Sequence, residues 1–518
     1  MLEDFRLKVF EAVAKSGSFT SAARQLGVSQ PAVSQNIAET EKTVGVKLFD
    51  RGAGRCTLTP EGKAFLGYAR EVNEAYGRMN AVFSRPESTL LKSVVLDGKP
   101  CNILIEKGYF SSIGVPDDTP AERVVDASGT AILPSFFNTH THAAMTQLRG
   151  YADDLPLKQW LEDYIWPYED KLTPDDIRKG SEIACREMAS SGSTFFSDMY
   201  FDIEETVSVV DRSGMRAAIG ITVMENHSKA VEARKKDFIM NWSDPTGGRI
   251  QLVMAPHAIY TVGTTKLRKA AEFARRHGLK LHIHLAETRK EVEDCVKEYG
   301  VTPVRYLDKI GFLGPDVIAA HCVYVDEQEW RILSRRGVTV AHCPCSNMKL
   351  GSGRFPYELA LDSGCRITLG TDGASSNNSL DLLGEMKFAA LLAKVQGNPT
   401  LLKAEEVFRW ATVNGAQAFG IDAGEIKERM QADAVLVNLD SPRLQPGHSL
   451  ISDMVYSADS SVISRVFCKG QEIFGPGRWH PPFLSCSPLC KWQGRSGLGR
   501  WCELSKCRTV LPKCLDFQ

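Results

Sequence analysis

The feature that most constrains this chain is the segment 131–142, where an apolar run ends in two histidines separated by one residue. Side chains alternate between the two faces of a β-strand, so His140 and His142 would point the same way. Two imidazoles side by side at the end of a buried strand make half of a metal site. The alternative is a pair of ordinary polar residues at a strand end, and the rest of the chain bears on that choice.

Seven more apolar runs follow this segment, and helical stretches separate them. They span residues 194–199, 216–222, 250–256, 279–285, 317–321, 338–342 and 367–370. Eight strands, each followed by a helix, predict a (β/α)8 TIM barrel, which we place at residues 134–430. Shorter β-like runs flank it at 93–96, 102–106, 123–126, 434–439, 454–456 and 464–468. They predict a small β-sandwich built from residues 90–133 and 431–478.

Histidines concentrate at the predicted C-terminal ends of the barrel strands, where such barrels carry their functional side chains. Five of the chain's 11 histidines lie there, and a sixth, His342, ends the seventh strand. The five are His140, His142, His257, His284 and His321, and Asp372 ends the eighth strand. Three imidazoles and one carboxylate suit zinc or iron(II), with one position left open for water.

A possible proton carrier, Glu287, lies three residues beyond His284. His282 would share a strand face with His284, but we expect His284 to be the ligand because it is nearer the strand end. A divalent metal at this site would lower the pKa of its water from about 15.7 towards ~7 and supply hydroxide at neutral pH. The pattern therefore predicts a hydrolytic metal site.

The chain of 518 residues is too long for one ordinary domain. No apolar run approaches the ~20 residues that a membrane helix needs, and the acidic start of the chain is unlike a signal peptide. We therefore expect a cytoplasmic protein with no membrane partner. The net charge is −1, but residues 1–84 carry 11 Lys and Arg against 9 Asp and Glu, a weakly basic head that is compatible with DNA contact.

The head, residues 1–84, is predicted to be helical, with two short helices joined by a tight turn. Gly27 closes the first of these, and Ser29 caps a second that runs to about Val44. This pattern indicates a helix-turn-helix, whose second helix would enter the major groove while an arginine holds a phosphate. The predicted DNA-binding residues are Ser29, Gln30, Ser34, Gln35 and Arg51. A helical cap with no DNA partner is the alternative.

Two further segments carry little pattern. Residues 84–89 are polar and contain a proline, which predicts a linker. Residues 481–518 have no periodicity, and their five cysteines lack metal-site spacing. We expect an irregular, disordered tail there, with a small metal knuckle as the alternative.

Four motifs of the head resemble the winged helix-turn-helix of LysR-type transcription regulators. They are Ala-Ala-Arg-Gln-Leu at 22–26, Ser-Gln-Pro-Ala-Val-Ser at 29–34, Leu-Phe-Asp-Arg at 48–51 and Leu-Thr-Pro-Glu-Gly at 58–62. The resemblance implies a double-stranded DNA partner, a dimer-forming helix at about 60–83, and therefore a homodimer or higher homo-oligomer. The two-lobed ligand-binding domain of that family does not follow.

Residues 90–475 resemble the amidohydrolase superfamily, and within it the methylthioadenosine/S-adenosylhomocysteine deaminases and related triazine hydrolases. The motifs are Asn-Thr-His-Thr-His-Ala-Ala-Met at 138–145, Leu-Arg-Gly-Tyr-Ala-Asp-Asp-Leu at 148–155, Ile-Trp-Pro-Tyr-Glu at 165–169, His-Leu-Ala-Glu-Thr at 284–288, Ala-His-Cys at 320–322, Ser-Asn-Met-Lys-Leu at 346–350 and Gly-Thr-Asp-Gly-Ala-Ser-Ser-Asn-Asn at 370–378.

The resemblance to these deaminases implies hydrolytic release of ammonia from an adenosine-type nucleoside. It implies one divalent metal, zinc or alternatively iron(II), and the metal ligands would be His140, His142, His284 and Asp372. Glu287 would carry protons to the substrate ring, while His321 and Asp372 would orient and deprotonate the water. The implied substrate-binding residues are Glu169, at the ribose hydroxyls, Trp166 and His257.

One departure narrows the expected substrate. Deaminases of this group that accept S-adenosylhomocysteine carry an arginine just past strand three, which suits a substrate carboxylate. Residues 220–227 contain no arginine, and we expect Arg216, at the start of that strand, to face away. We therefore expect 5'-methylthioadenosine, 5'-deoxyadenosine or adenosine as the substrate.

Two other functions stay open from the sequence. One is a LysR-like regulator whose barrel senses a nucleoside, and the other is a deaminase or dechlorinase of another aminated heterocycle. The intact ligand set together with Glu287 favours catalysis, because a sensor has no need of a proton carrier.

Overall fold

The computed structural model of the chain describes residues 3–52, 55–83 and 86–476, without the side chains of residues 51, 52, 55, 74 and 77–83. The predicted tail at 481–518 therefore lies outside the described residues, as does the side chain of Arg51. No helix within the described part of the chain is long and apolar enough to cross a membrane.

The head contains three short helices, a two-stranded wing and a long helix. These are α1 (Phe5–Ser16), α2 (Phe19–Leu26), α3 (Gln30–Val44), β1 (Phe49–Gly52), β2 (Arg55–Leu58) and α4 (Pro60–Phe83). Gly27 ends α2 with φ +68°, a left-handed conformation that suits glycine. The head has its own apolar core, in which the Phe10 ring lies 5.0 Å from that of Phe49 and 4.8 Å from that of Phe65. The predicted helix-turn-helix is thus present.

Five strands follow the head and begin the flanking sheet. They are β3 (Ser88–Leu96), β4 (Lys99–Glu106), β5 (Tyr109–Ile113), β6 (Arg123–Asp126) and β7 (Thr130–Pro134). At Ser135 the chain leaves this sheet and enters the barrel, so the apolar run of 131–142 supplies one strand to each.

The barrel has eight parallel strands in sequential order, and all but the first lie within one residue of their predicted limits. They are β8 (Phe136–Thr141), β9 (Ser193–Asp198), β10 (Arg216–Val223), β11 (Ile250–Pro256), β12 (Lys280–Leu285), β13 (Val317–His321), β14 (Thr339–His342) and β15 (Arg366–Leu369). Inward-facing residues Phe137, Phe195 and Val253 pack with Phe419 to fill the interior.

The barrel closes between its last and first strands. The backbone N–H of Asp372 donates to the carbonyl of His140 (3.0 Å), and Thr139 Oγ1 donates to the carbonyl of Leu369 (2.8 Å). Gly370 permits this approach, because a Cβ there would lie 2.9 Å from both the backbone nitrogen and the carbonyl oxygen of His140.

Helices surround the barrel and cover its mouth. They are α5 (Leu157–Gln159), α6 (Trp166–Glu169), α7 (Pro174–Ser190), α8 (Ile203–Ser213), α9 (Lys229–Met240), α10 (Thr264–Arg276), α11 (Arg289–Tyr299), α12 (Pro303–Lys309), α13 (Glu327–Arg336), α14 (Pro344–Lys349), α15 (Tyr357–Asp362), α16 (Leu382–Lys394), α17 (Ala404–Ala411), α18 (Val413–Ala418) and α19 (Leu450–Tyr456). A π-helix (Trp160–Ile165) joins α5 to α6, and short 3-10 helices occur at Ala143–Leu148, Pro442–Leu444 and Ser460–Val462.

The flanking sheet is completed by β16 (Ala434–Asn438), β17 (Ile463–Cys468) and β18 (Gln471–Phe474). Its order is β18-β17-β16-β7-β3-β4-β5, with β6 paired to β3, so the two predicted segments do pair with each other. The β4–β5 turn at Gly108 packs against the β17–β18 turn at Lys469, and the sheet therefore curls around one core. The predicted fold class is confirmed for the helical head, the barrel and the flanking sheet.

One predicted strand is wrong. Residues 454–456 lie in helix α19, whose N-terminus is capped by Ser449, and Met454 and Val455 are buried. The helix packs against α16 and α17, and this tertiary contact outweighs the local β-like composition. Strands β5 and β18 were not predicted.

Candidate active site and metal centre

The predicted metal ligands converge at one end of the barrel. The ligating atoms of His140, His284, His321 and Asp372 all lie within 4.8 Å of one another, and all four side chains are buried. His142 stands outside that set of four, but its Nε2 is 3.1 Å from Asp372 Oδ1. The same carboxylate oxygen is 3.3 Å from Nε2 of His140. The strand ends therefore bring together every side chain that the sequence nominates as a ligand.

Hydrogen bonds at Nδ1 leave Nε2 of these rings free to bind a metal. Nδ1 of His142 lies 2.6 Å from the carbonyl of Met199, and Nδ1 of His284 lies 2.8 Å from the carbonyl of His257. A carbonyl only accepts, so each Nδ1 must carry the proton and each Nε2 presents a lone pair. Nε2 of His140 is buried without a hydrogen-bond partner among the described residues, and a bound ion would satisfy it. The residues present thus fit a divalent metal.

The carboxylate of Asp372 is held by two hydroxyls. Its Oδ2 accepts from Ser346 Oγ (2.6 Å) and from Ser376 Oγ (2.8 Å), which leaves Oδ1 directed at the imidazoles. Burial alone would raise the pKa of Asp372, but the adjacent imidazoles of His140 and His142 hold that pKa well below its usual range. The side chain is therefore anionic, which is the charge state that a metal ligand requires.

Backbone strain occurs at the same strand ends. His321 has φ +73° and Asp372 has φ +60°, left-handed values that residues other than glycine rarely adopt. Such conformations cluster at functional sites, because the surrounding structure must maintain them.

Glu287 lies beside the metal-ligand cluster, as expected for a proton carrier. One of its oxygens is 3.8 Å from His321 Nε2, and the other accepts from Ser352 Oγ (3.0 Å). Burial raises the pKa of Glu287 above its ordinary value. His321 is itself oriented by Asn347, whose Oδ1 is 2.9 Å from His321 Nδ1.

A cavity opens above these groups. The three predicted substrate-binding residues, Glu169, Trp166 and His257, all line it. Burial raises the pKa of Glu169 to about 7. The rest of the wall is mostly apolar and aromatic and includes Trp160, Leu161, Ile165, Phe201, Met224 and Tyr260.

No lysine or arginine is among the described residues that line this cavity. Thr222 and Met224 occupy the end of strand three, where the sequence lacks the arginine of the S-adenosylhomocysteine deaminases. Arg216 lies at the opposite end of that strand, where its Nε is 2.7 Å from Asp433 Oδ2. As expected, this arginine faces away from the cavity.

Four of the five predicted DNA-binding residues lie at the N-terminal end of α3. Ser29 caps the helix by accepting from the N–H of Ala32 (3.4 Å), and Gln30 donates to Ser34 Oγ (2.9 Å). Gln30 and Gln35 are exposed. Arg51 belongs to the wing strand β1, but its side chain lies outside the described residues.

Known proteins resemble both parts of the chain. The amidohydrolase family model matches residues 131–473, and that of the lysR family of bacterial regulatory helix-turn-helix proteins matches residues 5–63. The chain belongs to the amidohydrolase family. This amidohydrolase is 45% identical over 380 residues to a 5'-deoxyadenosine deaminase of Methanosarcina mazei, which covers 72% of this chain and 88% of that protein.

Two further relatives support the same placement of this amidohydrolase. It is 46% identical over 379 residues to 5-methylthioadenosine/S-adenosylhomocysteine deaminase 1 of Archaeoglobus fulgidus, covering 73% of this chain and 90% of the relative. Among solved structures, an adenosine deaminase from Xanthomonas campestris with bound zinc superposes with a TM-score of 0.70 at 33% identity, covering 74% of this chain and 92% of the other.

Some residues of the amidohydrolase site were not predicted as such. Ser346 and Asn347 belong to a motif recognised after strand seven, but their contacts with Asp372 and His321 were not anticipated. Ser376 likewise lies in a recognised motif without an assigned role. Ser352 lies beyond any motif, and no sequence signal indicated its bond to Glu287.

Proposed function

We propose that this amidohydrolase is a metal-dependent hydrolytic deaminase of an adenosine-type nucleoside. The observation that carries the proposal is the placement of buried Glu287 next to a convergent His/Asp ligand set, at the floor of the cavity. Relatives at 45–46% identity bear the names 5'-deoxyadenosine deaminase and 5-methylthioadenosine/S-adenosylhomocysteine deaminase, which supports it.

We propose that His140, His142, His284 and Asp372 hold one divalent ion. Imidazole nitrogens and a carboxylate suit zinc, with iron(II) as the alternative, and the Xanthomonas relative contains zinc. When bound, such an ion supplies Lewis acidity and makes a water molecule acidic enough to yield hydroxide near neutral pH.

Different side chains around the proposed metal site carry out the separate proton transfers. His321 and Asp372 orient the attacking water and accept its proton, and the oxygen adds to the adenine carbon that carries the amino group. Glu287 protonates the adjacent ring nitrogen, for which its raised pKa suits it. Return of a proton to the amino group lets ammonia leave, so water and an aminated ring give ammonia and an oxo ring.

The cavity wall supports a substrate with a neutral 5' group. Glu169 accepts from the ribose hydroxyls, while Trp166 and His257 contact the nucleoside. A carboxylate buried without a cation is costly, and no lysine or arginine is among the described lining residues. We therefore propose 5'-deoxyadenosine, 5'-methylthioadenosine or adenosine as the substrate, in preference to S-adenosylhomocysteine.

A substrate panel with metal analysis tests this function. Protein loaded with zinc or with iron(II) is incubated with the four nucleosides and with aminated pyrimidines and triazines, while ammonia and adenine absorbance are followed. We expect turnover of the neutral nucleosides and weaker turnover of S-adenosylhomocysteine. Turnover confined to a triazine or pyrimidine would favour the deaminase or dechlorinase of another heterocycle, and no turnover at all would contradict the proposal.

We further propose that the head binds double-stranded DNA as a homodimer or higher homo-oligomer in the cytoplasm. The lysR-family match and the exposed Gln30 and Gln35 support this role. The proposed division is a DNA-binding domain at 1–84, a catalytic barrel at 134–430, a flanking sandwich at 90–133 and 431–478, and a tail at 481–518. A regulator whose barrel only senses a nucleoside is the second candidate, and the substrate panel distinguishes it.

A further inference from the structure

A single short segment after strand β14, residues 345–352, contacts three of the proposed catalytic side chains. Those side chains come from three different places in the barrel: Glu287 follows β12, His321 ends β13 and Asp372 follows β15. The segment comprises most of helix α14 and the turn after it. The proposed mechanism gives it no role.

Each contact holds the side-chain atom that points away from the metal site and the cavity. Ser346 holds Oδ2 of Asp372 at 2.6 Å, so Oδ1 turns to the imidazoles. Asn347 Oδ1 accepts from His321 Nδ1 at 2.9 Å, so Nε2 turns to the cavity. Ser352 Oγ donates to Oε1 of Glu287 at 3.0 Å, so Oε2 turns to His321.

The segment is itself rigidly placed. Ser346, Asn347 and Ser352 are all buried, and the N–H of Ser352 donates to the carbonyl of Asn347 (2.9 Å). At the other end, the N–H of Cys345 donates to the buried carboxylate of Glu385 (3.1 Å).

Lys349 ties the same segment to two neighbouring loops. Its Nζ donates to Asp153 Oδ1 (2.6 Å) and to the carbonyl of Ser375 (3.0 Å). These loops carry two recognised motifs: 148–155, which has no assigned role in the proposed reaction, and 370–378, which contains Asp372. Lys349 therefore links otherwise separate motifs to the catalytic groups.

We propose that residues 345–352 act as one positioning element, in which Ser346, Asn347 and Ser352 are positioning residues for Asp372, His321 and Glu287. For the pairs Asn347–His321 and Ser352–Glu287, the inference rests on the proposed deaminase function. For the pair Ser346–Asp372 it rests only on the metal-ligand role of Asp372. Side chains from separate strands then keep a common geometry, because one buried segment contacts all three, with Ser376 as a second partner of Asp372.

The test compares Ser346→Ala, Asn347→Ala and Ser352→Ala with Ser193→Ala in the full chain. Ser193 is also fully buried, and its hydroxyl has no hydrogen-bond partner among the described residues, so its removal controls for loss of a buried hydroxyl alone. Each variant is assayed for kcat and KM on 5'-deoxyadenosine, for zinc retained against a competing chelator, and for thermal midpoint.

Ser346→Ala should lose zinc affinity by about 10–100-fold, because outer partners of a metal ligand have effects of that size. Asn347→Ala and Ser352→Ala should retain zinc but lose kcat by about 10–100-fold, with KM changed by less than about threefold. Ser193→Ala should match the wild type in all three readouts. A merely structural role would lower the thermal midpoint without this separation of zinc affinity from kcat.

The inference is overturned if the three variants match Ser193→Ala in zinc affinity and kcat. It is also overturned if all three lose zinc and kcat together in proportion to the fall in thermal midpoint. If the wild type has no deaminase activity, the proposed function fails separately, and zinc retention by Ser346→Ala against Ser193→Ala still decides the positioning role.

Discussion

The ring nitrogen that each histidine leaves free depends on its neighbours, and for His140 that neighbour is another histidine. Nδ1 of His140 is 3.0 Å from Nε2 of His282, whose own Nδ1 is 3.1 Å from Ser197 Oγ. For His140 to present Nε2 to the site, His282 must accept at Nε2 and hold its proton at Nδ1. Ser197 Oγ can accept that proton, so its position is compatible with this tautomer. His282 is thus a hydrogen-bond partner of a proposed ligand.

Replacement of Glu287 by glutamine separates proton transfer from metal binding. The amide keeps the shape of the side chain but cannot carry the proton, so we expect kcat to fall by about 10²–10⁴-fold. Zinc content should stay unchanged, because Glu287 is not a proposed ligand. Ammonia release and metal analysis check both, with Glu293→Gln, on the exposed face of α11, as the matched control. An active Glu287→Gln enzyme would remove the assigned role.

Strand alternation is sufficient to predict the convergence of His140, His142, His284 and Asp372, because a parallel barrel brings the same ends of its strands to one rim. The contacts of Ser352 and Ser376 are different in kind. They depend on how loops fold across the rim, and loop residues follow no period that a sequence displays.

Among the elements, strand β10 is tied to the flanking sheet by a buried ion pair. Arg216 begins β10, and Asp433 directly precedes β16; their side chains are 3% and 0% exposed. Arg216 therefore holds the sheet to the barrel and takes no part in substrate binding. Its placement explains why an arginine near strand three does not serve a substrate carboxylate.

Asp433→Asn should destabilise the protein strongly, because it leaves the Arg216 guanidinium buried without a counter-charge. Removing one partner of a buried pair costs about 3–5 kcal/mol. Glu327→Gln breaks an exposed pair with Arg331 and should cost no more than about 1 kcal/mol. Denaturant unfolding of the two variants checks the difference, and equal losses would contradict the structural role.

In the head, Glu41 connects helix α3 to the wing. It is 4% exposed and accepts from the N–H groups of Leu48 (2.9 Å) and Phe49 (3.2 Å) and from Lys47 Nζ (2.8 Å). Burial alone would raise the pKa of Glu41, but these hydrogen bonds bring it below its ordinary value. A lowered folded pKa means that the stabilisation is present above the unfolded value and is lost as pH falls through the folded one.

Acidification should therefore loosen the wing selectively. Between about pH 5 and pH 3, the protection of the Leu48 and Phe49 amides from hydrogen exchange, relative to the intrinsic rate, should fall, because hydrogen bonds to a charged group contribute about 1.5–3 kcal/mol. Glu41→Gln should show fast exchange already at pH 7 and a flatter pH response, whereas the exposed Glu39→Gln should behave as the wild type. A wild-type wing that is equally protected at both pH values would contradict this assignment.

Regular elements were predicted well, and isolated short ones were not. The barrel strands are buried runs flanked by helices, so their limits follow from composition alone. Residues 454–456 have the same apolar character, but they pack against α16 and α17 as a helix. Strand β5 (Tyr109–Ile113) has only one buried residue, Phe110, and so lacks the alternation that identifies a strand.

For the whole molecule, two activities that share one chain should be separable by substitution. Gln30→Ala with Arg51→Ala should weaken binding to a DNA fragment selected from random duplexes by about 1–3 kcal/mol. Deamination should be unchanged, because neither residue belongs to the barrel. Lys42→Ala, near the opposite end of α3, serves as the control. Full DNA binding by the double variant would exclude this helix as the reading element.

The junction between the last and first strands of the barrel, which we call the seam, has a consequence for unfolding. His140 and Asp372 join the last strand to the first through their backbones, and the same two residues offer ligand atoms to the ion. An ion bound to both residues would link the first strand of the barrel to the last. Opening the seam and releasing the ion then become one event, so the frequency of opening depends on the free metal concentration. At a hundredfold excess over its dissociation constant, the ion would hold the seam shut by about 2.7 kcal/mol.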